Sequence, residues 1–198
     1  MRVLITGATG FMGAHLAAAL MREGHSVVAL SRDAEAAKKR LPLLDQAYSW
    51  HSQIGPPPPD ALRGVDAIVN LAGETLQGRW NDEKKRQIRD SRVIGTRNLV
   101  AGILAARHRP QVLISGSAVG YYGDRGDEVL TEDSSLGTGF LAEVCRDWEA
   151  EAGKARALGV RVVYLRTGLP LGKEGGAFKA LIPLFRFGLG GPLGNGRQ

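Results

Sequence analysis

The sequence has little cysteine and no long apolar run. Its one cysteine, Cys145, excludes an internal disulfide framework, and no group of cysteines and histidines has metal-ligand spacing. No apolar stretch approaches the roughly 18 residues of a membrane-spanning helix, and the chain starts on a strand pattern rather than a signal peptide. We therefore expect a cytoplasmic protein with no metal and no membrane partner.

Acidic residues are fewer than basic ones, which gives a formal net charge of +6 and a pI of about 9.8. Such a balance serves either a nucleic-acid partner or a phosphate-rich cofactor. The densest basic stretch, Arg79 to Arg97, interleaves its cations with Asp82, Glu83 and Asp90, a pattern typical of a solvated helix face. We predict no nucleic-acid partner.

The first thirteen residues, MRVLITGATGFMG, predict a short strand, a glycine-rich turn and the start of an amphipathic helix. Gly7 allows a tight turn, Gly10 lets the backbone approach a pyrophosphate, and Gly13 lets the helix pack against its strand. The helix N-terminus then faces the phosphates. An apolar strand at residues 27–30 closes a βαβ unit, so the context favours nucleotide binding over a glycine turn of another kind.

Strand and helix patterns continue to alternate along the chain, with a surface connection at Pro56–Pro59. Strands are predicted at residues 65–71, 111–115 and 160–165, with a short one near 48–50, and helices at 34–40, 81–107, 136–158 and 178–187. This alternation predicts an α/β fold, namely a Rossmann-type doubly wound parallel sheet with helices on both faces. The glycine-rich residues 188–198 offer neither a helix cap nor a strand.

The tip of the second strand decides the coenzyme, because a carboxylate there binds the ribose 2′-hydroxyl and repels a 2′-phosphate. Here the strand ends in Leu30, Ser31 and Arg32. Ser31 can donate to a phosphate, and Arg32 offers a charged fork and a flat surface for adenine. NADP is therefore favoured over NAD. The alternative, in which Arg32 is merely exposed and Asp33 binds the ribose, stays open.

Three further motifs follow the last three strands: NLAG at 70–73, SGSA at 115–118 and RTG at 166–168. With TGATGFMG they resemble the extended and atypical branch of the short-chain dehydrogenase/reductase superfamily. The segments NLAGE, SAVGYYG and FRFGLGGPLGNGRQ are similar, more narrowly, to its NAD-dependent epimerase/dehydratase-like epimerase family. The resemblance implies a nucleotide-binding domain at residues 1–175. Residues 176–198 would then begin a C-terminal substrate domain, which we expect to be missing or truncated.

The predicted cofactor contacts come from the glycine turn, the second strand, the loop after the fourth strand, the long helix and the segment after the sixth strand. They are Gly7, Thr9, Gly10, Phe11, Met12, Gly13, Ser31, Arg32, Leu71, Ala72, Gly73, Gln87, Arg92, Gly168, Leu169 and Pro170. The resemblance implies the roles from Leu71 onward. A surface charge at Arg92, and core packing for Leu71 and Ala72, remain alternatives.

Family members use a Ser or Thr hydroxyl with a Tyr-x-x-x-Lys pair on a helix. Ser117 fits the serine position and is the predicted catalytic residue, whereas Ala142 and Arg146 fall at the places of the pair. Arginine does not donate a proton at neutral pH. Replacement groups are Tyr121, Tyr122, Glu143 and Glu74, each of which has an ordinary structural reading that we favour, and Cys145 is expected to pack in the core.

The resemblance implies an NADP(H)-dependent oxidoreductase or epimerase-like enzyme acting on a small carbonyl, alcohol or sugar-nucleotide substrate. The alternative is a non-catalytic NADP(H)-binding sensor or scaffold, because the Tyr/Lys pair is missing. A homodimer is an open prediction.

Overall fold

Six parallel strands form one sheet in the computed structural model, which describes residues 1–172 and 175–191, with the backbone alone at 177–180. The strands are β1 (Arg2–Thr6), β2 (Ser26–Ser31), β3 (Gln46–Ser49), β4 (Ala67–Asn70), β5 (Val112–Ala118) and β6 (Arg161–Thr167). The α-helices are α1 (Phe11–Arg22), α2 (Ala34–Arg40), α3 (Asp82–Ala105), α4 (Phe140–Gly153) and α5 (Gly176–Arg186). Single turns of 3₁₀-helix cover Pro59–Leu62, Val119–Tyr122 and Lys154–Leu158.

The strand order is β3-β2-β1-β4-β5-β6, with every neighbouring pair parallel. The chain winds outward from β1 in one direction and then returns to start again at β4. The carboxyl ends of β1 and β4 therefore flank the point where the order reverses, which is where ligands bind in open α/β sheets. This confirms the predicted Rossmann-type doubly wound sheet.

Helices cover both faces of the sheet because successive strand residues point to opposite sides. Leu4 of β1 packs in a core cluster with Leu99 and Ile103 of α3. Its neighbour Ile5 packs in a second cluster with Ala17 of α1. Each such buried aliphatic side chain contributes about 1.5–3 kcal/mol. Because both faces of the sheet are buried, the strands are nearly continuous apolar runs in the sequence.

The structure corrects the start of one predicted helix. Residues 136–139 precede α4, which begins at Phe140 rather than at Leu136. Gly139 has φ +99°, a conformation outside the helical region. Gly137 lies so close to the chain that a Cβ there would be 2.0 Å from the carbonyl oxygen of Tyr122. These two glycines hold an extended approach to the helix and prevent an earlier start.

Two motifs that were expected to follow strands lie largely inside them. Strand β5 continues through Ala118, so the four residues SGSA are its last four, and β6 continues through Thr167. The connection at Pro56–Pro59 is not wholly at the surface, because Pro57 is buried against α3 beside Gly102. Of the glycine-rich residues 188–198, those from 192 onward lie outside the described part of the chain.

The chain divides into two compact units, Met1–Thr167 and Gly168–Gln198. The first holds the sheet and α1 to α4, and the second holds α5. The predicted boundary at residue 175 stays a prediction. Within residues 1–172 and 175–191, no helix combines the length and apolar character that crossing a bilayer requires.

Candidate functional site

The glycine-rich turn between β1 and α1 has the geometry of a dinucleotide-binding turn. Gly7 has φ +70°, and a Cβ there would lie 3.0 Å from main-chain atoms of Leu71 and Ala72. A Cβ at Gly13 would lie 2.2 Å from the carbonyl oxygen of Gly7. Gly10 caps α1 without a side chain. The first N–H groups of the helix are therefore available to an anion at the end where the helix dipole is positive.

Buried hydrogen bonds hold the loop after β4 against this turn. The main-chain N–H groups of Leu71 and Ala72 donate to Oγ1 of Thr6, at 3.1 and 3.0 Å. The Thr6 hydroxyl donates in turn to Oδ1 of Asn70, whose amide donates to Oγ1 of Thr96 on α3. The chain of bonds fixes the backbone of Leu71 and Ala72 beside the glycine turn, and the contact of these two residues with a cofactor stays a prediction.

A cavity of about 290 Å³ opens at the carboxyl ends of β1, β2 and β4. Eight of the predicted cofactor residues line it: Gly7, Thr9, Gly10, Ser31, Arg32, Leu71, Ala72 and Gly73. The cavity thus joins the glycine turn to the tip of β2. It extends from the N-terminus of α1, where anions are favoured, to the guanidinium group of Arg32.

Six lining residues are not among the predicted cofactor contacts: Leu30, Trp50, Ser52, Gln53, Glu74 and Ser91. Three of them follow β3 directly. Trp50 is buried, and its main-chain N–H donates to the carbonyl of Ser31 at 2.7 Å. Its indole N–H donates to the carbonyl of Gly55 at 2.8 Å, which fixes the ring. The short strand predicted near residues 48–50 was a signal for these residues, because the carboxyl end of a third parallel strand lies at the same edge of the sheet as the first two.

Five predicted cofactor residues of the first unit lie outside the cavity lining: Phe11, Met12, Gly13, Gln87 and Arg92. The Phe11 ring packs edge-on against His15 with centroids 4.9 Å apart, and the Gln87 amide donates to Glu83 on the exposed face of α3. Met12 is also exposed. Gly168, Leu169 and Pro170 belong to the second unit, and their contact with a cofactor stays a prediction.

Arg92 supports the loop after β4 instead of standing free on the surface. Its Nη1 donates to the carbonyls of Glu74 and Ile88, both at 3.1 Å. The guanidinium lies 5.4 Å from the ring centroid of Trp148, and a Cβ at Gly73 would be 3.0 Å from its Cζ. Burial lowers the pKa of the Arg92 guanidinium. Its positive charge therefore lies directly behind the Gly73 wall of the cavity.

Ser117, the predicted catalytic residue, is buried at 3% exposure and donates its hydroxyl proton to Oε1 of Glu149 at 2.6 Å. Glu149 also accepts from Nε and Nη2 of Arg166, at 2.8 and 2.9 Å. Arg166 donates further to the Tyr122 hydroxyl, and its guanidinium lies 3.6 Å from the ring centroid of Tyr121. The hydrogen bond with Glu149 raises the pKa of Arg166. The group forms a buried ionic network between β5, β6 and α4.

Ala142 and Arg146, at the predicted places of the missing Tyr/Lys pair, lie in different surroundings. Ala142 is buried, and Arg146 is an exposed side chain that pairs with Asp147 on its own helix. One position earlier on α4, Leu141 and Cys145 approach the 3₁₀ turn after β5 and the last residue of β5, respectively. Leu141 lies over Gly120, and Sγ of Cys145 is 3.8 Å from the carbonyl oxygen of Ala118. An apolar side chain, Leu141, and a thiol, Cys145, therefore lie at these two positions, four residues apart on α4.

Two side chains considered as replacements for the Tyr/Lys pair, Tyr122 and Glu143, have ordinary structural surroundings. Tyr122 is buried with its hydroxyl on Arg166, while Glu143 is exposed in the first turn of α4. Burial raises the pKa of the Cys145 thiol, as expected for a core cysteine. Among the described residues, no group of three or more His, Cys, Asp or Glu side chains could hold a metal ion.

Fold and site together define a short-chain dehydrogenase/reductase of the extended type. The model of the NAD dependent epimerase/dehydratase family matches residues 3–185, and the chain belongs to this family. This confirms the family resemblance found in the sequence.

Relatives are found in bacteria and in plants. The chain is 41% identical over 197 residues to an epimerase family protein of Mycobacterium leprae, covering 99% of this chain and 61% of that protein. It is 40% identical to the chloroplastic SDR39U1 homolog of Arabidopsis thaliana, covering all of this chain and 57% of that one. The chain thus spans about three fifths of the length of these curated relatives.

Two solved structures share both fold and sequence with the chain. Human epimerase family protein SDR39U1 (isoform 2), solved with NADPH, has a TM-score of 0.82 and 33% identity, covering 100% of this chain and 64% of that one. A nucleoside-diphosphate sugar epimerase of Corynebacterium glutamicum has a TM-score of 0.79 and 39% identity, covering 98% of this chain and 39% of that one. UDP-glucuronic acid 4-epimerase from Bacillus cereus, at 19% identity and a TM-score of 0.73, shares the fold.

Proposed function

We propose that the protein is an NADP(H)-dependent oxidoreductase or epimerase-like enzyme that acts on a small carbonyl, alcohol or sugar-nucleotide substrate. The observation that carries the proposal is the single cavity that joins Gly7 and Gly10 to Ser31 and Arg32. The human relative solved with NADPH supports the choice of cofactor. A cytoplasmic location and a homodimer stay predictions.

The residues present fit the cofactor along the length of the cavity. The glycine turn and the N-terminus of α1 would hold the pyrophosphate, since a Cβ at Gly7 or Gly13 would collide with the backbone. Ser31 and Arg32 would hold the 2′-phosphate. Trp50 and its neighbours Ser52 and Gln53 would border the adenine ring. When bound, the nicotinamide supplies hydride transfer, and Gly168, Leu169 and Pro170 are the residues proposed to border it.

The position of Asp33 favours NADP over NAD. A carboxylate at the tip of β2 would bind the ribose hydroxyls of NAD and repel a 2′-phosphate. The Asp33 side chain instead accepts from the main-chain N–H of Ala36 at 2.9 Å and caps α2. Its carboxylate is therefore engaged in capping the helix, and Arg32, directly after β2, is the charged residue of this segment that lines the cavity.

Ser117 keeps a proposed role in the substrate site as a hydrogen-bond acceptor. Its proton goes to Glu149, but a hydroxyl oxygen retains lone pairs that can accept from a substrate alcohol. The buried carboxylate and Arg166 would fix the orientation of that oxygen. This role differs from the donor role of a family serine beside a tyrosine, and it suits an alcohol better than a carbonyl.

The first experiment is a titration of the purified protein with NADPH and with NADH, followed by nicotinamide fluorescence and by thermal unfolding. Binding to the native state raises Tm, with about 2.7 kcal/mol of added stability at a ligand concentration of 100 Kd. We expect tighter binding of NADPH than of NADH. Binding of neither would reject the proposal, and tighter binding of NADH would reject the assignment of the coenzyme.

A second candidate function is a non-catalytic NADP(H) sensor or scaffold. The specific observation in its favour is that Cys145 lies at the end of β5 and Leu141 at the 3₁₀ turn that follows it, and neither belongs to a Tyr/Lys pair. The two candidates differ in turnover. Tight NADPH binding with no loss of absorbance at the nicotinamide band over a panel of aldehydes, ketones and sugar nucleotides would favour the sensor, whereas oxidation with any of them would establish the enzyme.

A further inference from the structure

Glu74 places a carboxylate on the wall of the cavity that we propose for a phosphate-rich cofactor. Such a placement is electrostatically unfavourable, since like charges repel, and they do so more strongly near a protein surface than in bulk water. The NADP site therefore contains one feature that opposes its proposed ligand. The surroundings of Glu74 show how this charge is compensated.

Three side chains of α3 fix Glu74 in place. Its main-chain N–H donates to Oγ of Ser91 at 2.9 Å, and its carbonyl accepts from Arg92 at 3.1 Å. Its carboxylate accepts from Nζ of Lys84 at 2.6 Å. The Lys84 side chain is only 15% exposed and that of Glu74 33% exposed, so the ion pair is sheltered compared with an ordinary surface pair.

Arg32 is the second cation that acts on this carboxylate. The hydrogen bond from Lys84 and the positive charges of Lys84 and Arg32 outweigh the desolvation of Glu74 and lower its pKa. The carboxylate is therefore ionised at neutral pH and lies within the electrostatic range of Arg32. Among the residues that line the cavity, the cation beside Glu74 is the guanidinium of Arg32, which would receive the 2′-phosphate.

We propose that Lys84 is a positioning residue that sets the preference of the cavity for a phosphate on the adenosine ribose: it neutralises Glu74 and so leaves Arg32 available to that phosphate. The proposal rests on the proposed function of the cavity. Lys84 itself need not contact the ligand, because its effect passes through Glu74. Its removal would both expose a negative wall and give Arg32 a competing carboxylate.

The test uses adenosine 2′,5′-bisphosphate and adenosine 5′-monophosphate as probes, with binding measured by calorimetry at low salt. We expect Lys84→Met to weaken the bisphosphate about tenfold and the monophosphate less, because the repulsion grows with ligand charge. The control is Lys85→Met, which removes the same charge from the same helical turn. Nζ of Lys85 lies over the Phe140 ring, 5.9 Å from its centroid, and it has no acidic partner among the described residues.

Rescue separates the electrostatic effect from a structural one. In the double variant Glu74→Gln/Lys84→Met the bare carboxylate is absent, so the affinity for the bisphosphate should return to within about threefold of the wild type. A loss that persists in the double variant, or an equal loss in Lys85→Met, would overturn the inference. Failure of the wild type to bind the bisphosphate at all would instead reject the proposed NADP site.

Discussion

The hydroxyl of Ser117 lies 2.6 Å from Oε1 of Glu149, inside the interface between the sheet and α4. Both side chains are buried, and Glu149 completes its hydrogen bonds with Arg166 of the neighbouring strand. The serine of the family motif is thus tied into an ionic network that links three elements. Its contribution to folding can be separated from any contribution to the substrate site.

Replacing Ser117 with alanine should lower the free energy of unfolding by about 1.5–3 kcal/mol, because a buried hydrogen bond to a charged group is lost. The affinity for NADPH should not change, since Ser117 does not line the cavity. Urea unfolding and the NADPH titration measure the two effects. Ser26→Ala is the matched control, because its hydroxyl also donates to a carboxylate, that of Asp45, but at an exposed site. There the loss should stay below about 0.5 kcal/mol.

Gly13→Ala should destabilise the protein by about 2–4 kcal/mol and weaken NADPH binding at the same time. The new Cβ would lie 2.2 Å from the carbonyl oxygen of Gly7, so α1 must move away from the turn. Gly55→Ala is the control, since a Cβ there meets no atom within 4 Å. An alanine at Gly13 that leaves both Tm and NADPH affinity unchanged would show that the helix packs less closely than described.

Glu151 should make the free energy of unfolding depend on pH in the acidic range. Burial raises the pKa of this carboxyl, but hydrogen bonds and charges from Arg97 and Lys154 outweigh it, and the net pKa is lowered. A carboxyl whose pKa is lower in the folded state stabilises it above the unfolded pKa of about 4.3, and this stabilisation disappears as the pH falls through the folded value. Glu151→Gln should therefore be destabilising at pH 7 and nearly neutral near pH 2.

Unfolding of both proteins as a function of pH gives the comparison. Glu23→Gln is the control, because Glu23 is exposed and forms no ion pair within the described residues. Its stability difference from the wild type should be close to zero at every pH. If the Glu151→Gln difference stayed constant from pH 7 to pH 2, the ion pairs of Glu151 would not be the source of the effect.

Much of the fold could be predicted from the sequence because its signals are local. The alternating strands and helices, the parallel sheet and the start of α3 at Asp82 after the side-chain cap of Asn81 all follow from short-range patterns. The glycine turn is local in part: Gly10 and Gly13 approach main-chain atoms of Gly7 and Ala8, whereas Gly7 also approaches the distant loop at Leu71 and Ala72. The parts of the cavity that the glycine turn and the end of β2 form could therefore be predicted.

The remaining features of the site depend on tertiary packing. The rotation of α4, which places Cys145 rather than Arg146 against the end of β5, is set by buried side chains such as Trp148 and Glu149. The lining residue Ser52 belongs to an irregular segment after β3 that has no periodic pattern. The bond between Ser117 and Glu149 joins residues 32 positions apart. None of these contacts has a counterpart in local sequence spacing.

The coenzyme preference provides the most direct test of the tip of β2. Arg32→Asp should weaken NADPH about 30-fold or more, because it removes a charge-assisted hydrogen-bond donor and adds a negative charge beside the 2′-phosphate. NADH should bind about as well as before or better, since the new carboxylate can accept from the ribose 2′-hydroxyl. The measurement is a paired titration with NADPH and NADH.

The matched control for Arg32→Asp is Arg107→Asp, which makes the same charge change in the exposed segment after α3, outside the lining of the cavity. It should alter both affinities by less than about twofold, since exposed charges more than a Debye length of about 10 Å apart are largely screened at 0.1 M salt. An equal loss of NADPH and NADH in Arg32→Asp would mean that Arg32 supports the adenine or the loop itself. The extra phosphate would then require another partner, and the discrimination assigned to Ser31 and Arg32 would be wrong.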